Sequence, residues 1–265
     1  MPHPGRDLTN GVRREYGSSM VAARNPFDLR PVKSRRGGPA KAPLSRDAIV
    51  AAALDLLRSE GLERMSLRKV ASALDTGAAT LYAYVDDLQE LQTLVLDRAL
   101  GGVDTSGRPG ALWKTRLRDL LFSYFHVLAH SPGLATLAMR TVSAGPNALR
   151  VLEALLSILE EAGVAAHTAA WAVDLLLLWI TGSAVEQSLR QGGRDPLGIV
   201  TEVFGAIGPE QFPRIHAARD ELTSGSGMER FAWGLDVFLS GILQNPRTPA
   251  RPPRAGGRRG AHPVR

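Results

Sequence analysis

Apolar residues along this chain recur at intervals of three and four, the spacing of a helix with one buried face, and no segment keeps the two-residue alternation of a strand. Ile49, Ala52, Ala53, Leu56 and Leu57 form the first such stripe, with Ser45 placed to cap the helix start and Gly61 to end it. Leu67, Val70, Ala71 and Leu74 make a second stripe over residues 66–74, with Ser66 as its N-cap. Asp75, Thr76 and Gly77 interrupt the pattern with turn-forming residues. The spacing then predicts a short helix over 78–85 that buries Leu81 and Val85 and turns Thr80, Tyr82 and Tyr84 outward. A fourth helix over 88–100, capped by Asp86 or Asp87, stops at Gly101-Gly102.

The run 101–110, GGVDTSGRPG, has no period and marks a domain boundary. Beyond it, helices are expected over 111–130, 133–142, 147–162, 165–190, 196–206 and 228–243. The stretch 165–190 is apolar nearly all round over its middle, so most of its sides must be buried. Between 207 and 226 the pattern fades, and 223–227 reads as a loop. The expected fold is all-α, with an N-terminal three-helix helix-turn-helix domain over 44–100 and a larger helical domain over 111–244. Residues 1–43 and 245–265 lack sustained periodicity and are expected to be disordered, basic tails.

Two short helices joined by a three-residue turn, the second polar and aromatic on its open face, suit a reader of the DNA major groove. The order of helix, turn, the run Thr80-Leu81-Tyr82-Ala83-Tyr84-Val85, a polar pair and a further helix resembles the DNA-binding domain of the tetracycline-repressor family of bacterial regulators. The likeness is strongest over 44–100, and a weaker one at Phe231–Ile242 looks like the last helix of the tetracycline-repressor branch itself. It implies an all-helical homodimer with a ligand pocket in its C-terminal domain. It also implies a base contact from Arg68, and phosphate contacts from the hydroxyls of Thr80, Tyr82 and Tyr84. Lys69, Thr76, Gly77, Ala78, Ala79 and Ala83 complete the expected DNA surface, the alanine methyl groups suiting thymine contacts. Three positions depart from the family pattern: Asp75 stands where glycine is usual, Gly77 where many members have Ser or Thr, and Leu88 where many have Lys.

The net charge of +6 hides a division. Residues 1–44 and 245–265 each carry +6, while 45–244 carry 17 basic and 23 acidic side chains, a balance of −6. The expected reading domain, 45–100, is itself acidic, with six basic against nine acidic groups. Arginine-rich tails supply sequence-independent phosphate attraction that falls steeply with salt. Lys33, Arg35, Arg36 and Lys41 are placed for an arm reaching the minor groove. The chain has no cysteine, which removes disulfides, thiol catalysis and thiolate metal sites. The first forty residues hold no apolar leader, and the most apolar run, 171–180, contains Asp174 and falls short of the ~20 residues that span a bilayer. The expectation is a cytoplasmic protein.

Chemistry for catalysis is thin. No nucleophile–base pair, phosphate loop or metal triad stands out, so an enzyme is not expected, nor a cofactor. His126 and His130 are four apart on one helix, without a glutamate between them or a third ligand. For an effector pocket the available side chains are Trp113, Phe122, His126, Met139, Trp171 and Trp179. For a dimer seam they are Asp174, Leu178, Phe231, Leu235 and Phe238, on two helices that would form a four-helix bundle. The expected partners are a palindromic double-stranded operator, a small-molecule effector and a second copy of the chain. The leading function is a ligand-released transcriptional repressor; the alternative is a constitutive DNA-binding protein that relies on its basic tails.

Overall fold

The computed structural model describes residues 25–27, 44–131, 133–191 and 196–248. Every regular element among them is helical: α1 (Arg46–Glu60), a 3-10 turn (Leu62–Arg64), α2 (Leu67–Ala73), α3 (Ala78–Leu81), α4 (Leu88–Leu100), α5 (Trp113–Ala129), α6 (Leu134–Arg140), α7 (Pro146–Glu161), α8 (Ala166–Gln191), α9 (Pro196–Ala206), α10 (Pro213–Thr223) and α11 (Gly227–Gln244). The fold is all-α, as the periodicity predicts.

Local chemistry starts and stops the N-terminal helices. Ser45 accepts from the Ala48 amide, Ser66 from Lys69 and Asp87 from Glu90, each satisfying an otherwise orphaned N–H of a first turn. Gly61 ends α1 at φ +83°, a conformation open to glycine. α1 packs on α4 and α2, and α2 on α3. Ile49, Leu57, Val70, Leu81, Val85 and Leu91, all at or near 0% exposure, form the shared core of this head.

In the body, α8 packs against α5, α6, α7 and α11. By length and composition Ala166–Arg190 could cross a membrane, which corrects the expectation that its apolar run is too short. Here it is a core helix: Val173, Leu176, Ile180 and Ala184 are buried among its neighbours. α9 and α10 pack chiefly on each other. α10 was not expected, because it buries no residue and so leaves no apolar stripe to read. The reading helix is also shorter than the expected 78–85. After Leu81 the chain tightens into i→i+3 bonds, Ala83 to Thr80 and Tyr84 to Leu81.

Most of both expected tails, including the arm at Lys33, Arg35, Arg36 and Lys41, lies outside the described residues. Two of the described residues are packed. Phe27 sits against the core, and Arg247 stacks over the Trp171 ring at 3.7 Å while donating its amide to Thr168 Oγ1.

Candidate DNA-reading surface and effector cavities

The angle between α2 and α3 is set by a double C-terminal cap. The Asp75 amide donates to the Ser72 carbonyl at 3.1 Å and the Thr76 amide to the Ala71 carbonyl at 2.9 Å, with Asp75 left-handed at φ +50°. Asp75 thus takes the conformation that a glycine would adopt without strain. α3 follows from Gly77, which supplies no side-chain cap. Leu81 and Val85 anchor it, while Arg68, Gly77, Ala79, Thr80, Tyr82 and Ala83 are exposed and Thr76 and Ala78 half-buried. Tyr82, a large aromatic, is 56% exposed.

Three residues differ from the simple picture. Tyr84 is half-buried rather than outward, and its hydroxyl donates to the Leu44 carbonyl at 2.8 Å. That proton is therefore engaged within the head. Lys69 is ion-paired with Glu60. Leu88, where an ammonium would reach a phosphate, packs against the core.

The joint between head and body is built from two side chains that cap each other's helices. Asp97, on α4 and 4% exposed, accepts from the amides of Asn147 and Ala148 at 3.4 and 2.9 Å, from Asn147 Nδ2 at 3.1 Å and from Ser143 Oγ at 3.4 Å. These amides are in the first turn of α7, whose own N-cap, Gly145, makes no side-chain cap. A Cβ on Gly145 would overlap both the Asp97 carboxylate and the Phe27 ring, so only glycine fits. In return Arg150, on α7, donates to the carbonyls of Leu100, Gly101 and Val103 at 3.0–3.3 Å and to Thr105 Oγ1 at 2.6 Å, closing the end of α4. An anion thus faces one helix N-terminus and a cation the other helix's C-terminus, both favourable for the backbone dipoles.

Directly against this joint lies a cavity of about 340 Å³. α4 contributes Leu96 and Leu100, the segment after α6 Thr141 and Ser143, α7 Val151, and α8 Asp174 and Thr181. Tyr124 on α5 reaches it too, hydrogen-bonded to Thr181 Oγ1 at 3.3 Å. Burial pushes the Tyr124 hydroxyl above the usual phenol range, so it stays protonated, a neutral donor or acceptor. The walls are otherwise apolar, with Asp174 the one charged group among the lining residues.

The side chains expected in an effector pocket do not converge. Met139 lines this central cavity; His126 and Trp179 line another between α5, α8 and α11; Trp171 lines an open groove on α8 and α11. Trp113 packs against the core and Phe122 against Phe231, 5.0 Å between ring centroids. The missed signal was smaller: a hydroxyl, Tyr124 and Thr181, on the inward stripe of each of two neighbouring apolar helices.

The expected dimer residues divide as well. Asp174 and Leu178 are exposed and Phe238 half-buried, but Phe231 and Leu235 are 4% and 0% exposed and belong to the core of one chain. The outer faces of the two helices instead present Trp171, Leu175 and Leu178 on α8 and Trp233 and Val237 on α11.

Two family models match this chain: one for bacterial regulatory proteins of the tetR family over residues 49–87, and one for the tetracyclin repressor-like C-terminal domain over 106–245. The chain belongs to the tetracycline-repressor family. It is a DNA-binding transcriptional regulator and not an enzyme. The transcriptional repressor DrrR1 of Streptomyces coeruleorubidus is 26% identical over 212 residues, 76% of this chain and 78% of that protein. ActR of Streptomyces coelicolor, solved without ligand, superposes with a TM-score of 0.71 at 32% identity, covering 77% of this chain and 97% of that one. ActR has also been solved in complex with actinorhodin, at the same TM-score and identity over 98% of that chain. This tetracycline-repressor family member therefore shares the architecture of a protein that takes a small molecule.

Proposed function

We propose that the chain is a homodimeric repressor that reads an operator through residues 44–100 and releases it when a small molecule enters the central cavity of its 111–244 body. The carrying observation is the position of that cavity, walled by α4 from the head and by α5, α7 and α8 from the body, against the Asp97–Arg150 joint. A ligand there touches both sides of the joint, so it binds one head position more tightly than another, which is what coupling requires. The relatives named DrrR1, a repressor, and ActR, solved with actinorhodin, support the same reading. The walls suit a largely apolar, neutral or cationic molecule that hydrogen-bonds Tyr124, Ser143 or Thr181.

Arg68 and Tyr82 carry the DNA contact, with Thr80 beside them and the methyl groups of Ala79 and Ala83 against thymine. The dimer forms through α8 and α11. Trp171, Leu178 and Trp233 are 64%, 58% and 72% exposed, a set of large apolar side chains that a second copy would cover. Two heads then span half-sites one helical turn apart, ~34 Å.

The test is binding of the purified protein to the DNA beside its own gene, against scrambled DNA of equal length, at about 150 mM salt, where non-specific attraction is weakened. A preference of about a thousandfold is expected; Arg68→Ala should reduce it and Tyr82→Phe should weaken binding to the operator, each with helix content intact. Equal weak binding to both DNAs would leave the tails as the contact and overturn the operator-reading role. Deleting the gene should raise transcription of its neighbours; a fall would make the protein an activator.

A further inference from the structure

A second cavity, about 550 Å³ and partly open to solvent, lies between α5, α8 and α11, on the other side of the α5–α8 contact from the central one. Tyr124 and Thr181 face the central cavity, whereas Phe125, Trp179 and Ser183, their neighbours on the same two helices, face this one. The two chambers differ in charge. The central cavity has one charged lining residue, Asp174, and the second has two arginines and two histidines against a single glutamate.

We propose that this second cavity is a binding site for an aromatic molecule carrying an acidic group. Three rings form its floor: Trp179 stacks on Phe231 with centroids 4.9 Å apart and planes 13° from parallel, and Phe125 lies 4.9 Å from Phe231. Phe125 is tilted 42° from Phe231, so the three rings give an uneven aromatic floor against which a ligand ring packs at an edge. Gly234 makes room for the Trp179 ring, since a Cβ there would fall 2.7 Å from it.

The cationic side is held in place before any ligand arrives. Arg230 donates through Nε and Nη2 to the Ser224 carbonyl at 2.9 and 2.7 Å and through Nη2 to Leu222 at 2.8 Å. Those carbonyls fix the guanidinium without cancelling its charge. His130 is tied by Nδ1 to the His126 carbonyl at 3.0 Å, which leaves Nε2 as its other hydrogen-bonding atom. The rings of His126 and His130 stand 5.0 Å apart. Glu186 is paired with Arg190, so the excess positive charge rests on Arg230. No third His, Asp or Glu joins the two histidines in a metal-ligating group among the described residues. The arrangement suits a carboxylate, sulfonate or phenolate, which accepts a charge-assisted hydrogen bond from Arg230 and a further one from a histidine N–H while its rings cover the aromatic floor.

The experiment is a fluorescence titration of the full chain with 1-anilinonaphthalene-8-sulfonate and with its uncharged analogue N-phenyl-1-naphthylamine. The sulfonate should bind about tenfold tighter or better, from one or two charge-assisted bonds. The Arg230→Met variant should lose that advantage while keeping the wild-type affinity for the neutral probe. Ser183→Phe, which fills the cavity without changing its charge, should weaken the sulfonate to the same extent. Arg230 is exposed near the start of α11, so the helix content should survive; if that variant fails to fold, Ser183→Phe and His126→Leu carry the test, His126 being exposed as well. Equal affinity for both probes in the wild type, or sulfonate binding untouched by these variants, would overturn the proposal.

Discussion

In the reading head three helices carry their own caps. Ser45, Ser66 and Asp87 each accept from an amide three residues ahead, so these helix starts are satisfied wherever the head moves as a body. At the joint the arrangement is opposite. α7 has no cap of its own and takes one from Asp97 about fifty residues earlier, while α4 is closed by Arg150 from α7. Local caps stabilise an element; borrowed caps stabilise a relationship between elements. Only the second kind loses free energy when head and body shift against each other, so the proposed coupling is expected at the α4–α7 contact rather than in the helix-turn-helix.

The largest test of that difference is Asp97→Ala. It strands two first-turn amides of α7 and the Asn147 amide group in a site where the carboxylate is 4% exposed, and should cost about 2–4 kcal/mol, read from the midpoint of urea unfolding. Ser66→Ala, the local counterpart, should cost about 1 kcal/mol. If the two losses are equal, the joint is no more than another cap. Operator binding by folded Asp97→Ala should persist, with a weakened response to any effector.

Arg150→Met keeps the aliphatic stem and removes the bonds to three carbonyls and Thr105. A loss of about 1–2 kcal/mol is expected, smaller than at Asp97 because this end of α4 has more access to water. A double variant should lose less than the sum, since either change already releases α4 from α7. Strict additivity would show the two caps to be independent.

The same contrast explains what was legible in the sequence. The caps at Ser45, Ser66 and Asp87, the stop at Gly61 and the span of α4 follow from neighbours within one or two turns, so pattern and local chemistry suffice. Asp97 reads in isolation as one more charge on a helix; its partners are 46 to 51 residues away, and only Gly145-Pro146, a helix start without a capping side chain, hints that a cap must come from elsewhere. α10 has no buried face to announce it. Phe231 and Leu235 looked like seam residues because an apolar stripe shows that something is covered, not whether the cover is the same chain or a second copy. The effector candidates scattered for a related reason: aromatic residues are large enough to be noticed, whereas a cavity is defined by where side chains fall short.

Within the head, Asp75→Gly sharpens the comparison in the stabilising direction. At φ +50° a glycine avoids the left-handed penalty, worth about 0.5–1 kcal/mol after Asp's partial tolerance of that region. The melting temperature should rise by roughly 2–4 °C per kcal/mol. Because the backbone already adopts the glycine geometry, operator affinity should stay unchanged; a fall would show that the Asp75 side chain itself sets the angle of the reading helix.

The smallest effect is expected at Gly77, the one uncapped helix start in the reading motif. Its backbone, φ −81° and ψ 144°, already has the extended form of an N-cap, and a Cβ there meets nothing nearer than Thr80 Oγ1 at 4.0 Å. Gly77→Ser should therefore fit without rearrangement and offer its hydroxyl to the Ala79 or Thr80 amide. The gain is limited because the Thr80 amide already donates to the Gly77 carbonyl at 2.9 Å, so a few tenths of a kcal/mol is the expected rise in stability. The informative readout is the operator complex. Serine's hydroxyl would stand beside the exposed Thr80, and if α3 fits the DNA as a short, weakly capped helix, tightening its first turn should slow dissociation more than it raises the melting temperature. Stability and residence time rising in step would mean that the free head already holds α3 in its bound form.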